Sequence, residues 1–345
     1  MAYTTINKSS DYFQTNLYTA NNSGKTISGM NFKPDFIWTK NRDDGNYIPA
    51  IVDAVRGGTK KLFTNGTTVE TTDANAVTSF TSDGYVFGSS GSFNYGTDDY
   101  VNWCLKANGQ GSSNTDGTIN TTYTSANTTA GFSIVKYTGN GTNNATFGHG
   151  LGVAPKIMIG KCTGNTNSWQ VTGNVSPLVE NKYLTLDTSN AIADSVNVSF
   201  DASATTIKLQ GGQGTNVSGQ PHIAYCFAEK KGYSKFGSYV GNGSTDGTFV
   251  YTGFKPAFVM VKRTDNTSDW QIQDNKRIGY NVNNYRLNAN TGSAETTSGV
   301  MDFISNGFKF RGTPMNTSGG TFIYMAFAEE PLVANVGASI PATAR

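Results

Sequence analysis

Few side chains in this sequence could do chemistry, and their placement decides what they could do. There are two histidines, His149 and His222. Neither has an acid or a cysteine beside it in sequence, so neither reads as half of a proton relay or a metal pair. The three cysteines, Cys104, Cys162 and Cys226, match no disulfide or zinc spacing. Acid pairs stand at Asp43-Asp44, Asp98-Asp99 and Glu329-Glu330. Glycoside hydrolysis needs two carboxylates facing one bond, and no two of these fall on strands that must face each other. Asp43, Asp44, Asp265 and Asp269 share one kind of loop, where their oxygens could hold a hard cation or simply be solvated. The best binding candidates are Trp169 and Trp270. Indole rings in a loop-rich region can stack on a sugar, and equally can fill a core or a junction. No cofactor and no metal is expected.

The elements that position these residues repeat. "NFKPDFIWTKN", "GVAPKIMIGKC" and "GFKPAFVMVKR" carry Pro34, Pro155 and Pro256, each followed six residues on by a lysine: Lys40, Lys161 and Lys262. Fourteen residues after each proline stand Ile48, Trp169 and Trp270. Leu62, Tyr183 and Tyr285 follow, then Phe80, Phe200 and Phe303. The repeats close on "VNWCLKA", "IAYCFAE" and "IYMAFAE" and are led by "YTANNS", "YTGNGT" and "YVGNGS". A register kept three times over about 100 residues is an internal repeat of domain size. Alternation after each proline puts Phe36/Trp38, Ile157/Ile159 and Phe258/Met260 on one face, with apolar residues between them, which predicts a strand covered on both sides. The lysine is expected to end that strand and return it to water. In the closing strands Cys104, Cys226 and Ala326 share one position, so the thiol there is a small packing group. Cys162 reads as an exposed edge residue. Asn-Gly and Asp-Gly pairs, including Asp83-Gly84 and Asn306-Gly307, predict tight hairpins with positive φ supplied by the glycine.

Composition agrees. The chain has 345 residues, 14% of them charged, a net charge of +2, 40 glycines and 12% aromatics. That excludes a nucleic-acid-binding stripe and suits short strands joined by turns. No membrane insertion is expected, since there is no apolar run of 18 residues, and the N-terminus has no apolar signal segment. The expected fold is all-β: three tandem β-sandwich, jelly-roll-like modules of about 100 residues and a short C-terminal arm. Their bounds are 1–107, 132–229 and 230–330, with a Gly/Ser/Thr/Asn-rich linker at 108–131 and the arm at 331–345.

The opening "MAYTTINKSSDYFQTNLYT", the strand "GFKPAFVMVKR", the hairpin "DFISNGFKFRG" and the ending "YMAFAEEPLVANVGASIPATAR" together resemble tail-fibre-like or virion structural proteins of tailed phages, notably marine ones. The resemblance covers nearly the whole chain. It implies a non-enzymatic virion component, made in the host cytoplasm, that serves as a tail fibre or appendage in attachment to a host-surface receptor or glycan. A capsid decoration protein is the alternative, and a polysaccharide depolymerase or a cellular adhesin the more distant ones. Expected partners are other virion proteins, copies of the chain in a trimer, and a host glycan or protein.

Overall fold

The computed structural model describes residues 4–331 apart from 199 and 213. The expected arm begins with Pro331, which is the last residue of a strand, and its remainder, 332–345, lies outside the described residues. The fold is all-β, with one 3₁₀ turn at Ser9–Asp11. Six antiparallel sheets pair off into three modules, each a large sheet facing a three-stranded one.

The large sheets share one plan. An opening strand (Phe13–Thr19, Phe132–Thr138, Ser234–Val240) pairs with the closing strand (Asp99–Leu105, Pro221–Phe227, Thr321–Pro331). The closing strand pairs on its other side with the proline-led anchor strand (Phe36–Asn41, Ile157–Cys162, Phe254–Arg263). A fourth strand follows (Ala50–Asp53, Gln170–Gly173, Gln271–Asp274). Pro34 and Pro155 precede their strands. Pro256 lies inside its strand, at a register shift between Lys255 and Phe258, where a missing N–H is tolerated.

Every anchor strand is buried along both faces, for two different reasons. One face fills the sandwich. Ile37, Cys104 and Tyr85 meet in module one, Met158, Cys226 and Phe147 in module two, Val259, Ala326 and Phe308 in module three. The other face, with Phe36/Trp38, Ile157/Ile159 and Phe258/Met260, enters a single core built by all three modules. Phe36 meets Phe132 and Tyr225 edge-on, Trp103 meets Phe258, and Phe227 lies against Phe327, so each pair of modules is joined by rings.

The tandem modules are therefore not beads on a string. Main-chain bonds close them into a ring. Glu70 N–H donates to Thr163 O, Ile192 N–H to Thr264 O, and Glu295 N–H to Arg42 O. The three acceptors each stand eight residues after the anchor proline, so the ring has pseudo-threefold symmetry.

The segment 108–131, expected as a linker, contributes structure. Tyr123–Asn127 adds an edge strand to the second module's large sheet, and Ile119 is buried in that module's sandwich. Its polar composition hid a strand because an edge strand buries little apolar surface. The hairpin glycines also differ from expectation. Gly84 and Gly307 do not supply positive φ; a Cβ on them would stand 1.9 Å from Ile27 O and 2.0 Å from Val250 O. They are glycines because a third strand's backbone passes against them.

Candidate functional site

The residues singled out for chemistry converge on the junctions between modules. Trp169 and Trp270 are 0% and 1% exposed. Trp169 Nε1 donates to Phe63 O of module one (2.8 Å), and Trp270 Nε1 to Thr185 O of module two (2.9 Å). Neither indole has a face open to a sugar, so neither can be a stacking platform; each ties its module to the preceding one. The position equivalent in module one is Pro49, not Ile48. Thr64 N–H bonds Pro49 O just as Leu186 and Ala289 N–H bond the two tryptophan carbonyls. One extra residue in the first loop shifts the count. The same ladder makes Leu62, Leu184 and Leu287 equivalent, in place of Tyr183 and Tyr285.

The three anchor lysines are not at the water. Lys40, Lys161 and Lys262 are each 0% exposed. Lys40 Nζ donates to Thr291 O of module three (2.6 Å), Lys161 Nζ to Thr67 O of module one (3.0 Å), and Lys262 Nζ to Ser189 O of module two (3.2 Å). No carboxylate pairs with any of them among the described residues. Burial pushes Lys40 down to about 7, helped by the nearby Arg277 cation, and pushes Lys161 and Lys262 down to about 8. The misreading was local: a lysine after an apolar run normally meets solvent. A lysine at the same register in three repeats was the signal that it does something else.

A second set of polar groups was not singled out. Asp53 and Arg56 form an ion pair at 2.6 Å with both side chains fully buried; Asp274 and Arg277 repeat it at 2.7 Å. Tyr225 Oη of module two donates to Asp53 Oδ2 (2.8 Å), and Trp103 Nε1 of module one to Asp274 Oδ2 (3.0 Å). In module two the acid position is Gly173, and the third residue at the Trp103/Tyr225 position is the apolar Met325. At this position the side chain is a polar donor where a buried carboxylate accepts it and apolar in the third module. "DAVR" and "DNKR" at one repeat position were the legible signal.

At the loop end of each module a tyrosine and an asparagine recur. Tyr18, Tyr137 and Tyr239 donate their hydroxyls to Phe93 O, Thr215 O and Met315 O. The next residues, Asn94, Asn216 and Asn316, are fully buried. Each accepts from the backbone N–H of Asn21, Asn140 or Asn242 and donates back to that residue's side chain. This explains the repeated "YTANNS", "YTGNGT" and "YVGNGS".

The remaining candidates are structural in geometry. His149 accepts from Leu151 N–H at Nδ1 and faces Ser203 O at Nε2. His222 accepts from Val217 N–H at Nε2, faces Gln220 O through Nδ1 and stacks on Tyr137. Burial lowers both, His222 to about 4, so both are neutral near pH 7. Cys162, expected at an exposed edge, is fully buried opposite His222 in the closing strand. Cys104 and Cys226 are pushed up to about 12 by burial, which leaves no thiolate to react. Asp43 accepts from Asp99 N–H, Asp44 from Asn46, Asp265 from Arg263, and Asp269 from Asn288 and Asn290. Among the described residues no three His, Cys, Asp or Glu side chains gather as a metal site requires. The shared core holds a cavity of about 30 Å³ lined by apolar atoms of residues such as Trp38, Trp103, Tyr225 and Phe327. It is far smaller than a substrate pocket.

Residues 8–331 match the family described as a domain of unknown function, DUF7483. The chain belongs to this family. The match runs through all three modules as one unit, as the single shared core requires of the fold. No curated protein matches the chain.

Proposed function

We propose that this DUF7483 protein is a non-enzymatic structural component of a bacteriophage virion, a tail fibre or related appendage that attaches the particle to a receptor or glycan on the host surface. The observation that carries the reading is the fate of its reactive groups. The histidines, cysteines, interior lysines and buried carboxylates described above are held by packing or by bonds within and between modules, in a ring closed around one core. That arrangement suits a rigid block exposed to harsh surroundings. The virion-protein resemblance of the sequence adds to it. Other virion proteins and further copies of the chain meet it through outer faces, because the inner faces are consumed.

Decoration of a capsid is the second reading. The closed pseudo-threefold ring favours it, since one chain could sit on a threefold position of a shell. Gold-labelled antibody on purified particles separates the two. Label at the tail supports attachment and label over the head supports decoration. Particles that carry no label and none of the protein by mass spectrometry would overturn both.

A further inference from the structure

The three modules are natural controls for one another, and the outer face of the small sheet breaks their likeness. In module one the edge strand Lys25–Ile27 places Ile27 inward and Thr26 and the following Ser28 outward. In module two Phe147 points inward, between Thr146 and Gly148. In module three Val250 points inward, and the flanking outward positions are Phe249 and Tyr251, 44% and 57% exposed. Small or polar residues at two equivalent sites thus become a pair of exposed aromatic rings at the third.

Their neighbours are polar and charge-balanced. Across the sheet, Phe249 lies opposite Lys309, which lies opposite Asp302. Lys309 pairs with Asp246, and Arg311 with Asp302 and Asp246. Asp302 is 6% exposed, and its Oδ1 has no hydrogen-bond partner. Tyr251 lies opposite Gly307, where a Cβ would come within 2.9 Å of the Phe249 ring, so that ring leans over bare backbone. Module two keeps the lysine and the acid as Lys208 and Asp201 but not the aromatics.

We infer that this face of module three binds a neutral glycan. The two aromatic residues alternate on one strand, so their backbone positions are roughly 6.6 Å apart, a spacing comparable with one hexose in a chain. They offer flat surfaces to the C–H faces of sugars, while the paired carboxylates and cations beside them exchange hydrogen bonds with hydroxyls. Two cations matched by two acids give no preference for a charged polymer. An apolar peptide or lipid would strip water from those ion pairs and return no hydrogen bonds. This inference names the ligand class for the attachment reading and rests on it.

The test uses the full chain and the double variant Phe249→Thr with Tyr251→Ser. These are the residues module one carries at the same positions, so folding is expected to survive and is checked by an unchanged melting temperature. Native gels cast with dextran, laminarin, mannan or galactan measure retardation, with alginate as the anionic comparison. Wild-type protein should be retarded by at least one neutral polymer, and the variant should bind it about tenfold more weakly, the loss expected of a central aromatic anchor. Equal retardation of both proteins, retardation only by alginate, or no retardation by any polymer would overturn the inference. So would a variant that changes only sedimentation, since that assigns the face to a second copy of the chain. Labelled proteins on host cells keep the two ideas apart. If both proteins bind cells equally, attachment stands and this face is eliminated; if neither binds cells, attachment fails.

Discussion

Lys40, Lys161 and Lys262 each donate to carbonyl oxygens of the neighbouring module, with no carboxylate in direct ion-pair contact among the described residues. Their lowered proton affinity makes stability depend on pH. An unfolded lysine titrates near 10.4, whereas these titrate at about 7 to 8 when folded. Between those values the unfolded chain binds protons that the folded chain does not, so stability rises with pH. Cys104 and Cys226 act oppositely. Held at about 12 when folded, they keep protons that unfolded thiols lose above about pH 8.5, so they offset part of the climb there. Thermal melts should show a midpoint that climbs by a few degrees from pH 7 to about 9 and more slowly above it. Lys40→Met should flatten the climb. A flat profile in the wild-type protein would mean that burial does not lower the lysines' proton affinity. The lysine's burial was not legible in its own repeat, because alternation describes a strand's two faces and not what later covers its end.

Among the elements, the strand-and-turn plan was largely legible and its reasons only partly so. Alternation around Phe36, Ile157 and Phe258 gave the anchor strands, and the closing strands followed their patterns. The glycine of the hairpins was legible as a requirement, but its cause was not. Gly84 adjoins Ile27, more than fifty residues earlier in the chain. Gly84→Ala should therefore cost about 2–3 kcal/mol by forcing two backbones apart. Gly66→Ala, in another Asn-Gly pair with nothing within 4 Å of a new Cβ, should be close to neutral. Urea unfolding of both variants measures the difference; equal midpoints would remove the close-approach explanation. The edge strand Tyr123–Asn127 and the Pro49 equivalence were illegible for a related reason. Both depend on pairing partners, which composition and counting from a proline do not reveal.

For the whole molecule, the shared core makes the three modules one cooperative unit. Phe258, Met260, Met325 and Phe327 of module three are covered by modules one and two, so a fragment ending with module three alone would expose them to water. Scanning calorimetry of the full chain should give one transition with calorimetric and van't Hoff enthalpies in agreement. A fragment of residues 230–331 should not melt cooperatively. Three separate transitions, or a well-folded fragment, would show that the inner faces contribute little.

The sequence by itself determined the threefold repeat, the strand class and the identity of the two apolar rows on each anchor strand, because these follow from backbone geometry and local alternation. Tertiary structure alone decided that the second row meets two other modules, that Trp169 and Trp270 face the core and not a ligand, and that three lysines are dry. The physical reason is that burial is a property of pairs. A side chain's pattern shows which way it points, but only the chain segment that arrives from about a hundred residues away decides whether it points into water or into protein.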